Sequence, residues 1–179
     1  MRNSETAVYI RMIETPLGEM IACSNGKSLC GLWFKDRPHF PSSLLKNGKE
    51  GWLPVFEETE QWLRTYFNEE IPNRMPKLSL NGSAYQRRIW AILEGITYGE
   101  TASYQRIAEL ANETNHDRAA CAQAAGQAVS RNPVSLIVPC HRVIGKNGRM
   151  RGYAGGLDRK AFLLEMEKRV IGKKERELL

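Results

Sequence analysis

Disulfide bonding is the first thing this chain lacks the means for: four cysteines in 179 residues, Cys23, Cys30, Cys121 and Cys140, have neither the density nor the spacing of a cross-linked scaffold. No segment reaches the roughly 18 to 20 apolar residues of a membrane span, and Met1-Arg2-Asn3-Ser4-Glu5-Thr6 is followed by no apolar signal core. The expectation is a cytoplasmic globular protein without membrane contact. A metal cluster is missing as well. Cys23 and Cys30 flank the turn Asn25-Gly26-Lys27, but zinc there would need two further ligands, and His39 is the only nearby histidine. Two strand cysteines in a core are the simpler reading, and neither metal nor cofactor is expected.

Acidic residues are short in one half only. Residues 1–80 hold ten Lys/Arg and ten Asp/Glu, whereas residues 81–179 hold sixteen and ten and therefore the whole formal charge of +6. A basic half suits a polyanionic partner, because phosphate neutralisation drives nucleic-acid binding with little regard to sequence. A solvated basic surface is the plainer alternative, and the tail Lys168 to Arg176 supplies part of the excess. Composition changes near residue 80, which divides the chain into a strand-rich supporting half, 1–80, and a mainly helical half, 81–179, an α/β (α+β) arrangement.

In the first half, Val8 to Ile13, Met20 to Cys23 and Leu29 to Phe34 are short apolar runs broken by Thr15-Pro16-Leu17-Gly18 and Asn25-Gly26, which are hairpin signals. Residues 37–55 read as loop, and a helix follows from about Phe56 to Asn68. Nothing there forms a catalytic constellation. The second half opens with Ser83-Ala84-Tyr85-Gln86 in capping-box spacing and a stripe of Tyr85, Ile89, Ile92, Leu93 and Ile96. Ser103 opens a second helix, with Tyr104, Ile107, Ala108 and Ala111 on one face. Asp117 caps a third, Arg118 to Arg131, which stops before Asn132-Pro133 because a residue preceding proline is pushed out of the α region. Two short helices joined by a polar loop resemble a helix-turn-helix, winged-helix-like in outline. Residues 119–128 of the third helix are alanine, glycine and glutamine apart from Cys121, so it can lie close to a DNA groove or to a neighbouring helix; composition alone favours internal packing.

The stretch Ile137-Val138-Pro139-Cys140-His141-Arg142-Val143-Ile144 reads as an apolar strand carrying a thiol, an imidazole and a guanidinium. A thiol reacts as its thiolate, and a neighbouring imidazole is the usual means of forming one at neutral pH. The bland reading is a buried structural cysteine. Beyond it, Met150 to Leu157 forms a loop of small residues around Tyr153, and Asp158 caps a last helix, Arg159 to about Ile171. On that helix Glu167 shares the packing face of Leu163 and Leu164, where a carboxylate needs a partner. His141 would complete a Cys, His, Glu relay; Arg142 is the competing partner.

Asn132-Pro133, Pro139-Cys140-His141-Arg142-Val143, Gly152-Tyr153-Ala154-Gly155-Gly156, Lys160 and Leu163-Leu164-Glu165-Met166-Glu167, in that order and preceded by Tyr85-Gln86, Ile89-Trp90 and Ser103-Tyr104, resemble the O6-alkylguanine-DNA alkyltransferases. The likeness implies irreversible transfer of an alkyl group from guanine O6, and from thymine O4, to Cys140. It implies that His141 deprotonates the thiol through a water, that Glu167 orients His141, and that Tyr104 donates a hydrogen bond to the purine. Asn132 would brace the turn, and Val143 with Tyr153, Ala154 and Gly155 would line the guanine pocket. The third helix, with Gln123, Ala124, Gly126 and Gln127, would enter the minor groove of double-stranded DNA and help to flip the nucleotide. One departure stands out. The family pattern Arg-Ala-Val-Gly aligns with Gln123-Ala124-Ala125-Gly126, so glutamine occupies the place of the intercalating arginine, whereas counting forward from Tyr104 lands on Arg118. A monomer acting on alkylated duplex DNA is the expectation; the alternatives are a non-catalytic lesion sensor, against which Cys140 counts, and a thiol hydrolase.

Overall fold

Tyr9–Ile13 (β1), Met20–Ser24 (β2) and Leu29–Phe34 (β3) pair antiparallel in sequence, with Ile10 opposite Cys23 and Ala22 opposite Leu32. In the computed structural model of the chain, which describes residues 7–37, 40–113 and 121–177, they form a sheet with the two-residue strand Lys49–Glu50 (β4), in the order β3-β2-β1-β4. The chain divides into two compact units, Met1–Leu80 and Asn81–Leu179.

In the first unit every residue of strand β2 is buried, whereas in β1 only Ile10 and Ile13 are. The turn after β2 is held by Asn25 Oδ1, which accepts from the Lys27 and Ser28 amides, and Gly26 takes φ +95° there, a conformation that suits glycine. The stretch read as loop contains two short elements, Leu44–Asn47 (α1) and Lys49–Glu50 (β4), the latter parallel to Tyr9 and Ile10. Elements of four and two residues are too short to show a period, which is why the pattern missed them. Helix α2, Pro54–Phe67, starts two residues earlier than expected because Pro54 fits its first turn, where no amide donor is needed. It buries Phe56, Leu63 and Tyr66, and Trp62 stacks on Tyr66 at 5.1 Å.

The second unit begins with α3, Ala84–Glu94, whose capping box is formed as the spacing predicts: Ser83 Oγ accepts from the Gln86 amide and Gln86 Oε1 from the Ser83 amide. Ile89, Trp90 and Leu93 are its buried face, and Trp90 Nε1 donates to Ala128 O at 2.9 Å. The two-residue strand Ala102–Ser103 (β5) leads into α4, Tyr104–Glu113, whose first turn is capped by Ser103 Oγ. Helix α5 is Ala122–Ser130, shorter than expected: Cys121 is extended (φ −109°, ψ 164°) and serves as its N-cap, so the helix cannot run back unbroken to Arg118. Arg118 and Asp117 themselves lie outside the described residues. Ala125, Ala128 and Val129 face inward, and Gln123 and Gln127 are exposed, so the small-sided helix packs internally on one face and is open on the other.

The strand expected over 137–144 is reduced to Val143–Ile144 (β6), parallel to β5. Proline at 139 has no amide to donate to a ladder. The preceding residues close on themselves instead, through Val138 N to Val134 O and Ile137 N to Ser135 O, and Cys140–Arg142 form one 3₁₀ turn. The last helix, α6, is Leu157–Glu177; it begins before Asp158, which sits in its first turn and does not cap it. Among the described residues no helix is long and apolar enough to cross a membrane, and no group of three or more His, Cys, Asp or Glu is placed to hold a metal.

Candidate active site

Asn132 is where the site is built. Its Nδ2 donates to Val134 O (3.2 Å), Val138 O (2.8 Å) and Cys140 Sγ (3.1 Å), and its Oδ1 accepts from the Val134 amide (3.0 Å). One buried amide thus ties the end of α5 to the turn and touches the sulfur. Cys140 is only 4 % exposed. Burial raises its pKa, opposed by Asn132, by the charge of Lys160 and by the Cys140 and His141 amides, so the resting sulfur is a thiol.

Behind the thiol, His141, Arg142 and Glu167 are buried together. His141 Nε2 lies 2.8 Å from Glu167 Oε1, and Arg142 grips the same carboxylate with Nε (2.9 Å to Oε2) and Nη2 (3.0 Å to Oε1). The two partners that the sequence left as rivals for Glu167 both hold it. Glu167 Oε2 also accepts from the Gly99 amide at 3.0 Å, and Arg142 Nη1 donates to Ile96 O at 2.7 Å, which fastens the turn leading to β5. Burial alone would raise the Glu167 carboxyl, but the hydrogen bonds and charges of His141 and Arg142 outweigh it and hold the group at about 2, against 4.5 for an unperturbed glutamate. Burial lowers the His141 pKa and Glu167 only partly restores it, so the ring is neutral at pH 7. A carboxyl whose folded-state pKa is depressed adds stability above its unfolded value and loses it as the pH falls. Urea unfolding should accordingly show a contribution of roughly 3 kcal/mol at pH 7 that fades between about pH 4.5 and pH 2, and Glu167→Gln should flatten that part of the profile.

The parallel pairing of β5 with β6, Ala102 opposite Val143 and Ser103 opposite Ile144, brings Tyr104 beside the cysteine turn. Tyr104 Oη donates to the Arg151 and Gly152 carbonyls, 2.9 and 3.0 Å away, and burial pushes its pKa up to about 12. Tyr153 packs edge-on to His141 (6.3 Å between centroids), and a Cβ at Gly155 would collide with its ring at 2.3 Å. Val143 is buried, and Ala154 is half-buried next to that glycine. Lys160, fully buried on α6, donates Nζ to the Val143 and Arg151 carbonyls, and burial lowers its pKa to about 8. No role was drawn for it from the sequence, although it lies seven residues before Glu167 on the same helical stripe. In front of these groups a groove of about 1140 Å³ runs between α5 and the loop 145–152, with Gln123, Gly126 and Gln127 on one side and Lys146, Arg149 and Arg151 on the other. Ala124, half-buried between Gln123 and Ala125, is not among the residues lining it, and neither are Cys140, Val143, Tyr153, Ala154 and Gly155, which lie behind Tyr104 and the loop carbonyls.

These features define a class: a protein that sets a thiol, a neutral imidazole and a buried carboxylate beside a groove bounded by a small-sided helix and a basic loop. Residues 8–76 match the family model described as 6-O-methylguanine DNA methyltransferase, ribonuclease-like domain, and residues 84–169 match that of the same methyltransferase's DNA binding domain. The methylated-DNA–protein-cysteine methyltransferase of Mycobacterium leprae is 40 % identical over 92 % of this chain and 94 % of its own length, and that of Haemophilus influenzae 38 % over 91 % and 88 %. The crystal structure of the Mycobacterium tuberculosis O6-methylguanine methyltransferase superposes with a TM-score of 0.78 at 36 % identity, covering 90 % of this chain and 93 % of that one. The Mycobacterium tuberculosis OGT in complex with DNA superposes at 0.79 and 34 %, covering 90 % and 94 %. The chain belongs to the 6-O-methylguanine DNA methyltransferase family.

Proposed function

We propose that this chain is a single-turnover DNA repair enzyme, a methylated-DNA–protein-cysteine methyltransferase, in which Cys140 accepts the alkyl group from guanine O6 or thymine O4 of double-stranded DNA. The observation that carries the mechanism is the Glu167 carboxylate on His141 Nε2. A carboxylate only accepts, so Nε2 carries the proton and Nδ1 is the basic nitrogen. The thiol proton passes through a water to Nδ1, and the sulfur attacks the alkyl carbon in line with the departing oxygen. The carbon–oxygen bond breaks as the sulfur–carbon bond forms, its electron pair stays on the base, and a proton returns to the base as the imidazolium is discharged. The thioether has no leaving group, so each molecule reacts once.

Tyr104 meets the negative charge that builds on the purine by turning its hydroxyl from the Arg151 and Gly152 carbonyls to the ring, a contribution that grows toward the transition state. A stacked base cannot meet a sulfur that is 4 % exposed, so the nucleotide must leave the duplex, with α5 in the minor groove beside it. The second unit, 81–179, does this work as a monomer, the first supports it, and a reactive thiol fits the reducing cytoplasm. Incubating the protein with a duplex containing O6-methylguanine should add the mass of one methylene to the Cys140 peptide with one-to-one stoichiometry. An unmodified peptide from a bound complex would favour the lesion sensor, and repeated turnover a hydrolase.

Gln123 stands exposed on the groove wall where the family pattern has arginine. Gln123→Arg should speed transfer from duplex DNA by up to about tenfold, part of an unstacking cost of a few kcal/mol, while transfer from the free base stays constant. An unchanged or slower duplex rate in a rapid-quench assay would assign the gap-filling role to Arg118.

A further inference from the structure

The two walls of the groove differ in charge. The α5 wall, with Gln123, Gly126 and Gln127, is neutral, whereas the loop wall carries Lys146, Arg149 and Arg151, all exposed. Asn147 and Gly148 take φ +61° and +73° at the tip, so the chain reverses there between Lys146 and Arg149, which both line the groove. The Gly145 amide donates to Arg149 O at 2.7 Å and closes the turn. Behind the tip the loop is tied down at both ends. Val143 and Ile144 pair with β5, and the Arg151 carbonyl accepts from Tyr104 and from Lys160. Tyr104 and Lys160 both lie close enough to Cys140 to feel its charge.

We infer that Lys146 and Arg149 form a clamp for the phosphates of the lesion-bearing strand, on the opposite lip of the groove from α5; this rests on the function proposed above. A flipped nucleotide stays covalently joined to its own strand, so the phosphates on either side of it must pass over the rim of the pocket that takes the base. The loop walls the groove that Tyr104 also lines, follows Cys140 after a short run of chain, and is hydrogen-bonded to Tyr104. Long cationic side chains on a turn anchored at its base reach phosphates without reading bases, so the clamp holds the strand whatever its sequence. The neutral α5 lip is free to enter the groove between the strands, where small side chains matter more than charge. With glutamine at 123, charge held at the rim is the chain's own means of fixing the extrahelical nucleotide from outside the stack.

The test uses the full chain and an O6-methylguanine duplex in which the two phosphates flanking the lesion are replaced by neutral methylphosphonates, on the lesion strand or on its complement. Binding is followed by anisotropy from low to moderate salt. For Lys146→Gln/Arg149→Gln the slope of log K against log salt should be smaller than for the wild type by roughly 2, since each neutralised phosphate contributes about 0.9. Lesion-strand methylphosphonates should weaken the wild type about tenfold or more and the double variant hardly at all, while those on the complement weaken both alike. An unchanged slope, or a loss of sensitivity to complement-strand phosphates in the variant, overturns the clamp. The mass gained at Cys140 by the wild type on the O6-methylguanine duplex with all its phosphates intact is read in parallel, so a failure of the repair reading is seen separately.

Discussion

Cys140→Ser abolishes alkyl transfer and leaves duplex binding within about twofold of the parent, because affinity for DNA comes from charge spread along the backbone contacts and not from one buried sulfur. Serine keeps the size of the side chain and its place in the Asn132 bond network, so the turn that presents it survives. The chemistry does not survive. The resting thiol is already raised by burial, and the imidazole that must take its proton is lowered by the same burial, so the pair works only because a thiol is intrinsically acidic and its anion polarisable. A hydroxyl is far less acidic and there is no spare basicity in His141 to deprotonate it. The check is the intact mass of the variant after prolonged incubation with an O6-methylguanine duplex, beside an anisotropy titration of the same sample. Any alkyl group gained by the substituted serine, or binding lost in parallel with transfer, would contradict it.

Glu167→Gln should destabilise the fold by about 3–5 kcal/mol, the scale on which removing one partner of a buried ion pair acts. The carboxylate is fully buried and accepts from His141, twice from Arg142, and from the Gly99 amide. Glutamine keeps the shape but leaves the Arg142 guanidinium, 8 % exposed, without an anion. Adding Arg142→Met should recover part of the loss, since the uncompensated charge is then gone. Urea midpoints of the two variants decide this, and equal midpoints would mean that Arg142 is satisfied by Ile96 O and the Tyr98 ring alone. Transfer should fall in both, because a glutamine amide can present its NH2 as readily as its oxygen and carries no charge, so it neither reserves the Nε2 proton of His141 nor stabilises the imidazolium.

The elements most legible in the sequence are those with a long period or a strong punctuation mark. The hairpins around Gly18 and Gly26, the Ser83 capping box and the buried face of α3 follow from spacing, and so does the division into a strand-rich half and a helical half. Around Cys140 the residues are recognisable but their shape is not. An apolar run with proline in it reads as a strand, whereas the side chain of Asn132 supplies the hydrogen bonds that a ladder would have supplied and winds the segment into turns. Glu167 is visible as a misfit on an apolar stripe, and its partner cannot be chosen because local periodicity is silent on what another element brings. Lys160 escapes for the opposite reason: a lysine on a helix is ordinarily solvated, and only the convergence of three carbonyls explains one that is wholly enclosed. The span 114–120, which includes Arg118, lies outside the described residues.

Tyr104 and Lys160 donate to the same two carbonyls, those of Arg151 and Gly152. A guest that claims the tyrosine hydroxyl therefore leaves the ammonium as sole keeper of that corner. The loop that carries those carbonyls thus keeps one of its two fastenings while the hydroxyl swings, so the wall of the groove need not give way as the tyrosine changes partner.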